Sequence, residues 1–85
     1  MRTLREVNRR LIDAIEEPPE TGEERRLDRL AATLWERASR GEGLDAGYRC
    51  RVRYKLRTIA ETTHDARARH LEHARELLAE HAESG

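Results

Sequence analysis

Four histidines, His64, His70, His73 and His81, fall within the last 22 residues of this 85-residue chain. Imidazole binds divalent metals and titrates close to neutral pH, so the cluster raises two chemistries. Glu61 and His64 stand in E-x-x-H spacing, and "HLEH" sets His70 and His73 one helical turn apart, a geometry that can hold a divalent ion. A di-iron bundle needs that motif on two helices together with further glutamates. One E-x-x-H is present, so a site built from Glu61, His64, His70 and His73 would need symmetry-related copies of the chain. The simpler expectation is solvated or interface histidines on a polar helix, because the ligand count falls short within one chain. No metal or other cofactor is expected. A pH-sensitive interface is the lesser use of the same residues.

The second concentration of chemistry is "YRCRVRYKLRT", residues 48–58. Arg49, Arg51, Arg53, Lys55 and Arg57 supply five cations with no acid between Ala46 and Ala60, although the whole chain is formally neutral. Tyr48 and Tyr54 lie among them, and rings interleaved with guanidiniums stack on bases while the cations hold phosphates. The expected nucleic-acid contacts are Arg49, Arg51, Arg53, Tyr54, Lys55 and Arg57. Five phosphate contacts would give log affinity a slope of about −4.5 against log salt. The competing use is internal neutralisation. "EEPPETGEE" carries Glu16, Glu17, Glu20, Glu23 and Glu24 without a base, matching the five cations charge for charge. It could face the basic segment inside one chain or across a subunit interface. Sixteen of the seventeen basic residues are Arg. Arg grips phosphate and carboxylate with a planar fork, but a GC-rich coding sequence yields the same bias.

Catalysis finds little footing. Cys50 has no partner His at a familiar spacing, and there is no Gly-rich phosphate loop, G-x-S-x-G or paired-carboxylate pocket. A single Cys also excludes an internal disulfide and a Cys-based zinc site. The chain is therefore read as a non-enzyme.

The elements that position these residues are expected to be helices. With 36% hydrophobic residues, 40% charged, no Phe and two Pro, the composition is that of bundles and coiled coils. So few apolar residues bury little surface alone, so a partner copy is expected to complete the core. No apolar run is long enough to span a membrane and no signal-peptide pattern opens the chain, so a cytoplasmic location is expected.

Residues 3–17 place Leu4, Val7, Leu11, Ile12 and Ile15 at helical spacing, with Thr3 and Glu6 as a capping box. Pro18 and Pro19 stop that helix. From Thr21 or Gly22, a second helix carries Leu27, Leu30, Ala31, Leu34, Trp35 and Ala38 on one stripe and ends at Gly41. Residues 3–40 thus predict a helical hairpin, and 41–47, "GEGLDAG", a hinge.

Residues 48–57 alternate strictly, as a strand with a basic face would. A lone strand must pair with its copy in a second chain, as in a ribbon-helix-helix repressor, but two helices precede this segment and the element order does not fit. Wound as a helix, Tyr48, Val52, Leu56, Ile59 and Thr63 share an arc of roughly 80°, with Asp45 as N-cap. That stripe runs on past the alternation, so helix is the reading taken. Leu71, Ala74, Leu77 and Leu78 continue it as a polar arm, residues 48–83, with a break predicted at a Thr62–Asp65 capping box.

The fold class is accordingly all-α: one small domain over 1–85, a hairpin plus one long or two shorter C-terminal helices, completed by self-association through Leu34, Trp35, Tyr48, Val52, Leu56 and Ile59. The function expected is an oligomeric, non-enzymatic binding module that contacts nucleic acid through 49–57, of the regulator or phage DNA-handling type. Its rivals are a protein-interaction adaptor or inhibitor with charge-paired interfaces, and a His/Glu metal-binding assembly.

Overall fold

The computed structural model describes the backbone of residues 2–41 and 45–84 and the side chains of 4–41 and 45–80. Four helices follow in order: α1 (Arg2–Glu16), α2 (Glu24–Ser39), α3 (Ala46–Thr62) and α4 (Asp65–Ser84). α1 packs against α2 and α4, and α3 packs against α4. The bundle measures 34 × 21 × 18 Å, so its long axis is about the length of its longest helix. Among the described residues there is no strand; 48–57 lie wholly inside α3, and the two-chain ribbon is set aside. No described helix is long and apolar enough to cross a membrane.

The stripes expected from helical spacing meet in one core. Leu4, Val7, Leu11 and Ala14 from α1 pack with Leu27, Ala31 and Leu34 from α2, Val52, Leu56 and Ile59 from α3, and Leu71, Ala74 and Leu78 from α4. Each interior Leu contributes on the order of 2–5 kcal/mol relative to Ala, and these side chains pack into one cluster within the chain. The C-terminal half is not an extended arm: α3 and α4 fold back on one another, and α4 covers α1. On α1, Asn8 takes an interior position and donates from Nδ2 to the Ala31 carbonyl at 2.6 Å, tying α1 to α2, while Ile12 turns outward.

Local chemistry explains the boundaries. α2 ends as the Gly41 N–H donates to the Ala38 carbonyl; Gly41 has φ +72°, a conformation that costs glycine nothing. Asp45 caps α3 as expected, its Oδ1 accepting from the Tyr48 N–H at 2.7 Å. The break between α3 and α4 falls at Thr63 and His64, but not through the predicted box. Thr62 donates back to the Ile59 carbonyl, and the first turn of α4 is capped by His64, whose Nδ1 accepts from the Arg67 N–H at 3.3 Å. An imidazole here does what the Thr62 hydroxyl was expected to do. The Thr3 cap of α1 and residues 42–44 of the hinge lie outside the described residues.

Candidate functional site

The destination of the acidic stretch decides which cations remain available. The connector between α1 and α2 contains a cis Pro18–Pro19 bond and wraps one end of the bundle. Arg67, from the first turn of α4, reaches into it and is completely buried. Its Nε donates to the Ala14 carbonyl at 2.8 Å, and one terminal nitrogen donates to Thr21 Oγ1 at 2.6 Å and Glu23 Oε2 at 3.0 Å. The other donates to the Glu17 carbonyl and to Glu24 Oε1, both at 3.0 Å. One turn on, His70 Nε2 sits 3.1 Å from Glu17 Oε2.

The electrostatics follow this geometry. The Thr21 hydroxyl, then the Glu23 backbone N–H and the Arg67 guanidinium, hold the Glu23 carboxyl below the usual carboxylate range. Glu24 is pulled down to about 2 by backbone N–H groups, first its own and then those of Thr21 and Gly22, with Arg67 adding to them. Gly22, at φ +100°, supplies the turn that aims two of those N–H groups at one carboxylate. Within the chain, then, Glu17, Glu23 and Glu24 of the acidic stretch meet Arg67 and His70 on α4 rather than the cations of 49–57.

The basic segment, wound as a helix, does not present one face. Arg49 and Arg53 lie half-buried, and Arg57 is held by Glu61 at 3.1 Å, an exposed pair one turn apart. Arg51, Tyr54 and Lys55 remain exposed on the side turned towards α2. There they meet cations that the sequence reading did not consider.

A groove of about 490 Å³ runs between α2 and α3, lined by Arg26, Arg29, Leu30 and Thr33 on one wall and Tyr48, Tyr54, Lys55, Thr58 and Ile59 on the other. Among these lining residues there is no acid. Leu30, Ile59 and the Tyr48 ring form an apolar floor, and Arg26, Arg29 and Lys55 form the rim. Arg37 stacks over the Tyr48 ring at 3.9 Å, and Arg51 approaches the same ring at 5.9 Å, so the ring faces two further cations. Tyr54 stands at the edge with 70% of its surface exposed. The signal that could have revealed this wall was present: Arg26, Arg29, Thr33 and Arg37 recur at three- and four-residue steps along α2, beside its apolar stripe.

The histidine candidates disperse. Glu61 pairs with Arg57, His64 caps α4, His70 meets Glu17, and His73 lines a shallow cleft with Glu6, Arg9, Arg10 and Asp13 from α1. Among the described residues, no three His, Cys, Asp or Glu side chains gather around a point that could hold a metal. His81 lies outside the described side chains. Of the expected interface residues, Leu34, Val52, Leu56 and Ile59 are buried in the chain's own core, while Tyr48 is half-buried under Arg37. Trp35 is 55% exposed, and with Ile12 it leaves an apolar patch on the α1–α2 face, beside Asn8 and Ala32.

Fold and surface together define a small four-helix protein with a cationic groove along one seam. The chain belongs to the family described as a family of unknown function, DUF7553, whose model matches residues 1–84. No curated protein and no solved structure matches it.

Proposed function

We propose that this chain is a non-enzymatic nucleic-acid-binding module that holds the phosphate backbone in the α2–α3 groove. One observation carries the reading. Glu17, Glu23 and Glu24 of the acidic connector meet Arg67 and His70 at the end of the bundle, whereas the groove gathers Arg26, Arg29 and Lys55 without an acid among its lining residues. Cations with no ion pair among the described residues keep their attraction for phosphate, and a tyrosine at the edge offers a stacking surface. The net charge is zero, so this field is local, and binding is expected to weaken steeply with salt.

The test is fluorescence anisotropy on mixed single-stranded and duplex oligonucleotides across a salt series. Three rim cations predict a slope near −2.7 on duplex and about −2.1 on single strands. Replacing Arg26, Arg29 and Lys55 together with Ala should flatten it while helicity persists. Binding that survives this change but is lost on replacing Arg49, Arg53 and Arg57 would move the interface to the opposite side of α3 and refute the groove. No binding to any oligonucleotide would refute the nucleic-acid reading and favour a protein partner.

The exposure of Trp35 and Ile12 supports a second, separate proposal, self-association through the α1–α2 face. It leaves the groove open in each copy, because the two surfaces lie on different sides of α2.

A further inference from the structure

We infer that the α2–α3 groove takes a single strand with an unstacked base laid on its floor, and that it prefers cytosine to uracil there. This rests on the nucleic-acid reading above and adds to it a substrate form and a base. Duplex phosphates could touch the rim, but paired and stacked bases cannot reach Leu30 and Ile59 beneath it. An apolar floor between cationic walls suits a polyanion that carries an exposed flat ring, which is what a single strand offers. A volume of about 490 Å³ lies within the ordinary range for small-ligand sites. Tyr54 stands at the lip, where its ring can cover the incoming base.

The base preference comes from two hydroxyls. Thr33 lines one wall, and its Oγ1 donates to the Arg29 carbonyl at 3.0 Å; Thr58 lines the other, and its Oγ1 donates to the Tyr54 carbonyl at 3.0 Å. Each hydroxyl proton is therefore committed to its own helix, one turn back, and only lone pairs are left for the groove. A wall that can accept but not donate suits an exocyclic amino group. Cytosine offers N4–H₂ with two hydrogens, whereas uracil turns carbonyl oxygens towards the same lone pairs and has one N3–H between them. These two bases are alike in size and lack the thymine methyl, so the comparison isolates the amino group.

The experiment measures affinity of the full chain for short homopolymeric deoxycytidine and deoxyuridine strands and for a duplex, at fixed salt. Single strands should bind at least about fivefold tighter than duplex, the effect of one stacked base. Deoxycytidine should exceed deoxyuridine by about three- to tenfold, the worth of one added hydrogen bond. Thr33→Val with Thr58→Val should abolish that base difference while salt dependence stays, and circular dichroism checks that the double variant remains helical. Tyr54→Ala should lower single-strand affinity alone. Equal binding of cytosine and uracil strands, or of strand and duplex, with a groove-dependent salt slope would overturn this inference and leave the groove reading standing. Absence of any binding would overturn both.

Discussion

Replacing Arg67 with Met tests the central physical claim about this fold, that one buried cation holds the α1–α2 connector to α4. Met fills much of the same space but can donate to nothing. The Ala14 carbonyl then loses its 2.8 Å donor inside the bundle, and the Glu23 carboxylate, itself nearly buried, loses its counter-ion. Removing one partner of a buried charge pair typically costs about 3–5 kcal/mol, much of it the desolvation of what is left behind. Against that stands a total stability of about 4–13 kcal/mol for a chain of this length, from roughly 0.05–0.15 kcal/mol per residue. The variant should therefore lose a large part of its stability, with a fall in melting temperature of at least about 12 °C. Urea unfolding followed by far-ultraviolet circular dichroism reads the change as a shift in midpoint. Adding Glu23→Gln to the Met variant should restore part of the loss, because the stranded charge is gone, so the two changes will not add. A Met variant within about 1 kcal/mol of the parent, at unchanged slope, would refute the claim and leave the Arg67 contacts as decoration.

Three further outcomes follow from the same structure. Glu23 and Glu24 carry folded-state pKa values below the ordinary 4.5, Glu24 at about 2, so their contribution is complete above pH 4.5 and is lost as pH falls towards 2. Acid titration monitored by helicity should show stability declining through that window, and Glu24→Gln should flatten the decline. Leu34→Ala should cost about 2–5 kcal/mol, since Leu34 is fully buried, whereas Trp35→Ala, one residue on, should cost under about 1 kcal/mol because most of that ring already meets water. If the α1–α2 face joins two copies, native mass spectrometry should show the Trp35 variant shifted to monomer while the Leu34 variant is not.

The architecture was legible where hydrophobic spacing speaks for itself. Val52, Leu56 and Ile59 lie where helical periodicity puts them, and so do Leu71, Ala74 and Leu78 on α4. The alternation in 48–57 misleads only if read alone, since a period of two over ten residues is also compatible with a helix whose stripe continues to Thr63. Single positions were harder. Ile12 and Trp35 sit at the edges of their stripes, where a small rotation of the helix decides between core and solvent, and both fall outside. The groove was half legible: Tyr48, Tyr54 and Lys55 come from the segment whose charge draws notice, but Arg26 and Arg29 reach the same seam from a helix some thirty residues earlier. Only tertiary packing joins them. Arg67 escaped notice because it is one Arg among sixteen. Its position was nonetheless informative, for 67, 71, 74 and 78 form one continuous i, i+4, i+7 line, and a cation heading an apolar stripe must find acceptors inside.

The Arg67 contacts also set the order in which this chain can be completed on a ribosome. Their partners Glu23 and Glu17 lie 44 and 50 residues earlier, so the turn between the first two helices stays unfinished until the start of the fourth has emerged. A fragment ending near residue 40 would expose Leu4, Val7, Leu11, Leu27 and Leu34 without a cover and leave its acidic turn without a counter-charge. Until α4 is made, nascent chains hold these apolar side chains and the acidic turn without the helix that packs over α1.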